Sequence, residues 1–289
     1  MKPIKRSAAK ETVLRLLNNK FFLVGGIITF ILVLFAIISP AIIVHEPTVS
    51  QLENRLIPPE GLGAGWNGHI LGTDPLGRDI LTRLLIGSRT SFYIAFTSVA
   101  FSSVIGVILG IVAAYYGGFI DNLIMRIGDV QLSIPQMMLA VAVVAVLGTE
   151  INNLILVLIV TSWVQYARVV RSNVMVTCKM EFVSASRVLG ASDPWIMFRQ
   201  IFPNVLTPLL ILISQQIGFM ILVEAGLSFL GLGVQPPAPS WGVLLADGKD
   251  YLQTAPWVIV IPGIFLAIAV LGFNFIGDGL RDALDPKMR

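Results

Sequence analysis

An all-α integral membrane protein with six transmembrane helices is the fold class this sequence predicts, and three observations carry the prediction. Of the 289 residues, 55% are hydrophobic and 13% charged, with a mean hydropathy of +0.83; a soluble domain carries about 25% charged residues. The apolar residues are gathered into runs long enough to cross a bilayer. Between the fourth and fifth runs the chain keeps a charged, helix-prone insert, residues 181–203, EFVSASRVLGASDPWIMFRQIFP. A membrane protein holds such a segment out of the bilayer where something soluble binds it.

Residues 1–20 carry Lys2, Lys5, Arg6, Lys10, Arg15 and Lys20 against Glu11, and from Lys10 onward Val13, Leu14, Leu16 and Leu17 give an amphipathic surface segment. Residues 21–44 hold no charge, and at 1.5 Å per residue they cross about 30 Å of hydrocarbon as the first span. A signal peptide has a shorter core and a small-residue cleavage site, so this span is expected to stay. Residues 45–90 form a polar external loop rich in Gly and Pro, within which 79–89 can form a helix.

The remaining five spans make up the core, residues 91–276. The first of them, 91–116, carries small residues every four positions: Ser98, Ser102, Gly106, Gly110, Ala114 and then Gly118. Such a stripe lets a second helix approach closely, as a moving contact or as static packing. Residues 117–131, with Asp121, Arg126 and Asp129, read as a short polar turn; 132–147, with Pro135, as the third span; and 154–166 as the fourth. The fifth span is 205–230, a Pro/Gly-rich excursion follows to 253, and 255–276 is the sixth, flanked by Trp241 and Trp257 as interfacial anchors. Residues 277–289 are the tail.

Six spans put both termini on one side. With that side inside, inner segments hold 15 of the 20 Lys and Arg residues, against five outside: Arg55, Arg78, Arg83, Arg89 and Lys249. The positive-inside rule therefore places both termini and the 168–204 insert in the cytoplasm.

The chemistry is one of exclusions. No G-x-x-x-x-G-K-[ST] loop is present, so this chain is not expected to hydrolyse ATP. Neither H-E-x-x-H nor a G-x-S-x-G elbow occurs, and no enzyme is expected. Cys178 is the lone cysteine; His45 and His69 lie outside the apolar runs and read as solvated loop residues, leaving no expected metal site. The basic balance is segregated by topology, with no nucleic-acid face. Glu224 is the one ionisable residue well within a span, at a cost of about 2.5–3.5 kcal/mol at a helix centre. Two readings stay open for it: a place in the translocation path or its outer gate, or a rim carboxylate paired with an arginine such as Arg89.

Within the insert, Glu181 to Leu189 can form a helix with Phe182, Ala185, Val188 and Leu189 on one face. Gly190 breaks it, and Ser192-Asp193-Pro194 starts a second helix that closes at Phe202-Pro203. Ser184-Ala185-Ser186, Gly190 and Ile201-Phe202-Pro203 resemble the coupling loop of permease subunits in binding-protein-dependent ABC importers. Ser184 stands where that family has Glu, and Phe202 where it has Leu. Further segments resemble the "C" permease of the dipeptide/oligopeptide/nickel branch: 71–79 (LGTDPLGRD), 115–118 (YYGG), 132–135 (LSIP), 166–168 (YAR), 224–237 (EAGLSFLGLGVQPP), 239–242 (PSWG) and 277–286 (GDGLRDALDP).

The resemblance implies a bacterial or archaeal plasma-membrane subunit with three kinds of partner. These are a second permease in a heterodimer, two cytoplasmic ATPases that bind the ATP and Mg, and an extracytoplasmic solute-binding protein. It implies that Glu181, Ser184, Ala185, Ser186, Gly190 and Ala191 contact an ATPase. The expected cargo is a di- or oligopeptide or a related small solute such as a metal chelate. An ion-coupled carrier would instead show paired intramembrane ionisable groups and inverted repeats, which the sequence does not display.

Overall fold

The computed structural model describes residues 14–43, 45–60 and 68–284, so the basic residues before position 14 and the last five of the tail lie outside the description. Nine helices organise the described residues: α1 (Lys20–Ile42), α2 (Ile80–Tyr116), α3 (Gly118–Leu132), α4 (Gln136–Leu147), α5 (Ile151–Thr177), α6 (Glu181–Val188), α7 (Asp193–Phe229), α8 (Trp241–Gly248) and α9 (Trp257–Leu284). Five of these, α1, α2, α5, α7 and α9, are long and apolar enough to cross a membrane. The α3–α4 pair makes a sixth if counted as one broken span.

Three departures from the sequence expectation have local causes. The loop helix at 79–89 and the span at 91–116 are one 37-residue helix, α2. Asp79 caps it, accepting the Thr82 N–H at 2.8 Å. At 1.5 Å per residue α2 is about 55 Å long, so part of it stands clear of roughly 30 Å of hydrocarbon.

Residues 117–131 are not a turn but the helix α3. Asp121 and Asp129, two turns apart, both reach α5, where Arg171 grips Asp121 with two bonds of 2.5 and 2.6 Å and Arg168 meets Asp129 at 2.5 Å. The charges that look like a loop are one neutralised helix face. The chain then bends by 88° at Ser133–Pro135 before α4.

The second helix of the insert does not close at Pro203. It runs on as α7, through a π-helical turn at Ile196–Ile201 and past Pro203 and Pro208. A proline inside a helix removes a donor and crowds the carbonyl one turn earlier; the wide turn lies directly upstream of Pro203, where that crowding falls.

The core sits where α2, α5, α7 and α9 meet, and α1 packs along α9. The small-residue stripe of α2 faces α5. A Cβ on Gly106 would lie 2.6 Å from the Trp163 carbonyl oxygen, and one on Gly110 2.6 Å from that of Ala167. These two glycines let the helix backbones touch.

Candidate functional site

Two surfaces at opposite ends of α7 hold the residues singled out by the sequence. At the α6–α7 elbow, Gly190 turns the chain at φ +81°, a backbone conformation that disfavours any side chain, and Ser192 and Pro194 begin α7. Val183, Ile196, Met197 and Ile201 anchor the elbow inward, while Val188 and Leu189 are 88% and 85% exposed and Trp195 and Phe198 are also exposed. Glu181, Ser184, Ala185 and Gly190 are exposed with them; Ser186 and Ala191 are half-buried. Ser186 is occupied within the elbow, donating to the Phe182 carbonyl at 2.9 Å and accepting from Gln200. Two large aliphatic side chains thus project fully into the open at the turn.

The sequence reading missed how the elbow is held. Tyr115, at the end of α2, donates its hydroxyl to Asp193 at 2.5 Å, and the Arg187 guanidinium lies 5.0 Å from the centre of its ring. One aromatic residue thus ties both helices of the elbow to a core span. The signal was present in the Tyr115-Tyr116-Gly117-Gly118 segment, but nothing in sequence spacing pairs it with residue 193. Cys178, at the end of α5 just before α6, is partly buried, and that burial pushes its thiol pKa up.

At the other end of α7, Glu224 is fully buried and accepts three seryl hydroxyls: Ser91 at 3.0 Å, Ser228 at 2.8 Å and Ser240 at 2.9 Å. The expected pairing with Arg89 is absent; Arg89 instead lines a pocket with Val33, Phe92 and Phe96. Trp241 is likewise no interfacial anchor. It is wholly buried, gives its indole N–H to the Leu84 carbonyl at 3.1 Å, and gives its backbone N–H to Ser91 at 3.2 Å. Ser91, Glu224, Ser228, Ser240 and Trp241 therefore form one polar knot joining α2, α7 and α8.

Beside it, Arg78 and Arg83 share Asp74 and Asp247. Arg78 reaches Asp74 at 2.7 Å and Asp247 at 3.0 Å, while Arg83 reaches Asp247 at 2.8 Å and also contacts Asp74. This places the 71–79 motif against α8. His69, expected in solvent, is buried with its Nδ1 3.0 Å from Asp79, and the His45 ring stacks 4.8 Å away. His45, His69 and Asp79 bring one ligand-type atom each within 4.8 Å of one another, the donor set a borderline divalent metal prefers. The Asp79 carboxylate already has two hydrogen-bonding partners, His69 and the Thr82 N–H.

A bundle of apolar spans in glycine-mediated contact, a sealed polar knot at one end and an exposed apolar elbow at the other define a multi-pass membrane protein. Residues 106–289 match the family described as binding-protein-dependent transport system inner membrane component, and residues 7–59 match the N-terminal transmembrane domain of oligopeptide transport permease C. The chain belongs to this family of ABC importer permease subunits, which work in the plasma membrane with ATPase subunits and are not enzymes.

Among its relatives, the dipeptide transport system permease protein DppC of Alkalihalophilus pseudofirmus is 40% identical over 280 residues, covering 97% of this chain and 90% of the relative. The oligopeptide transport system permease protein OppC of Bacillus subtilis is 37% identical, with the same coverage. The glutathione transport system permease protein GsiD of Pectobacterium atrosepticum is 42% identical over 77% of this chain and 74% of its own. An inward-facing structure of the MetNI methionine ABC transporter shares the fold, with a TM-score of 0.59, 22% identity, and coverage of 71% of this chain and 98% of that one.

Proposed function

We propose that this chain is one half of a heterodimeric translocation path that carries di- or oligopeptides, or a related small solute such as a metal chelate, into the cell. An external solute-binding protein delivers the cargo. Two cytoplasmic ATPase subunits, which bind the ATP and Mg²⁺, supply the force. The termini and the elbow face the cytoplasm in this reading, which the distribution of Lys and Arg supports. The names of the relatives support peptides as the cargo.

The observation that carries the reading is the elbow itself. Val188 and Leu189 project at its tip, and the contact surface comprises Glu181, Ser184, Ala185, Ser186, Gly190 and Ala191. A partner that shifts this tip moves α7 directly, because α7 is continuous from Asp193 to Phe229, and moves α2 through Tyr115. Glu224 lies near the far end of α7, so displacement at the elbow reaches the outer gate, where Glu224 holds α2, α7 and α8 together. Coupling of this kind requires two arrangements that both ATP and the loaded binding protein bias.

The test is ATP-driven uptake by the reconstituted assembly. A charge at Ala185 or the substitution Gly190→Pro is expected to abolish uptake while the subunit still inserts and its spans still pack. Normal uptake by both variants would overturn the elbow as the coupling element.

A further inference from the structure

Resting on the importer reading, we propose that the break between α3 and α4, with the amides of Gln131, Gln136, Gln165 and Gln216 gathered at it, lines the aqueous path and binds the backbone of a peptide in transit. Three independent features lead there.

The first is exposure. The 88° bend interrupts what would otherwise be one span, and Leu132, Ser133, Ile134 and Pro135 at the bend are all exposed. Hydrocarbon does not accept irregular backbone on its surface, which is tolerated only against protein or beside water. This surface of the subunit therefore does not face lipid.

The second is a chain of three hydrogen-bonded amides across α7, α5 and α4, with a fourth amide, on α3, bonded to α5 beside it. Gln216 on α7 donates to Gln165 on α5, and Gln165 donates to Gln136 on α4 at 3.3 Å. Gln136 donates to Ser162 at 3.0 Å. Gln131 on α3 donates to the Thr161 carbonyl at 2.9 Å and accepts the Trp163 indole N–H at 3.0 Å. Gln165 and Gln216 each lie about 20 Å along their helices from the Ile151 and Phe229 ends, which are on the same side, so the chain sits inside the hydrocarbon. Gln216 is buried, whereas Gln131, Gln136 and Gln165 are only half-buried in the subunit.

The third is chemistry. A primary amide offers two donors and an acceptor without charge, which matches the repeating N–H and C=O of a peptide and ignores its side chains. Arg168 and Asp129, close in sequence to Gln165 and Gln131, neutralise each other. The site is suited to backbone recognition with broad side-chain tolerance.

The test uses the complete assembly in proteoliposomes with its binding protein and a mixture of labelled di- and tripeptides. In a Cys178→Ser background, Gln136→Cys and Gln165→Cys are expected to react with a hydrophilic methanethiosulfonate and to lose uptake when they do. The pair Gln136→Leu and Gln165→Leu is expected to cut uptake about tenfold, with the ATPase stimulation by loaded binding protein kept. Gln165→Glu is expected to shift preference from Asp- and Glu-containing peptides toward Lys- and Arg-containing ones, a change that a merely structural amide would not produce. Unreactive cysteine variants, or Leu and Glu variants with uptake and preference unchanged, would overturn the inference. A wild-type assembly that imports no peptide fails the importer reading instead, so the two failures are distinguishable.

Discussion

The two ends of α7 solve opposite problems with opposite chemistry. At the Phe229 end, polar groups are buried and charge-balanced: Glu224 takes three hydroxyls, and Arg78, Arg83, Asp74 and Asp247 neutralise one another, with Arg83 Nε and Nη2 left without a hydrogen-bond partner among the described residues. At the Asp193 end, apolar groups are left out: Val188 and Leu189 have almost nothing around them. An end that must hold its own shape closes its polar groups on one another. Apolar surface left open suits an end that a second protein completes. If the elbow couples as proposed, the polar cluster sets stability and the elbow sets transport, and substitutions should separate the two.

The largest effect is expected at Arg83. Its guanidinium is 1% exposed, and removing it by Arg83→Leu leaves Asp74 and Asp247 sharing Arg78 alone. Breaking a buried ion cluster by deleting one partner costs about 3–5 kcal/mol. The variant should unfold at a clearly lower temperature in detergent and accumulate poorly in the membrane. An unchanged melting temperature would show that the cluster does not hold this end of the bundle. The elbow variant Leu189→Asp should do the reverse, with the melting temperature unchanged and ATP-driven uptake lost. If both substitutions lower stability alike, the contrast between the two ends fails.

A smaller effect is expected at the latch. Tyr115→Phe keeps the ring beneath Arg187 and deletes one hydroxyl bond to Asp193, a loss of about 0.5–1.5 kcal/mol. Uptake at saturating cargo should fall by roughly two- to tenfold, and the ATPase rate should respond less to loaded binding protein. A variant with wild-type uptake and coupling would reduce the latch to a packing contact.

What was legible from sequence follows the same division. The long apolar runs gave α1 and the cores of α5, α7 and α9, because hydrophobic length alone demands a span. Gly190 and Pro194 gave the elbow, because turn chemistry is local. Errors came wherever a charge was satisfied at a distance. Asp121 and Asp129 suggested a turn because Arg171 and Arg168, some forty to fifty positions on, are invisible in a linear reading. For Glu224 the sequence leaves two readings, path or gate on one side and an arginine-paired rim carboxylate on the other, and only the arginine of the second is replaced, because the sequence spreads its three seryl partners over positions 91, 228 and 240. Trp241 was read as interfacial and His69 as solvated for the same reason: a residue's depth depends on the segments folded over it. The amides at 131, 136, 165 and 216 escaped notice because uncharged polar residues interrupt a hydropathy run too weakly to be seen.

The smallest effect concerns the native thiol beside the elbow, and it reports on sidedness as well as environment. Cys178 follows α5 directly, so the proposed topology exposes it to a membrane-impermeant maleimide in inside-out vesicles and shields it in wall-stripped intact cells. Burial is the main influence on its acidity and raises its pKa, while the positive charge of Arg187 works in the other direction. The maleimide consumes the thiolate, so the labelling rate should reach half its maximum at a pH above that of an unperturbed cysteine. Arg187→Gln removes the favourable charge, raises the pKa further and should slow labelling at pH 7.5 without altering its sidedness. Faster labelling would mean that Arg187 acts there chiefly as a steric cover, and labelling from outside would invert the placement of the elbow.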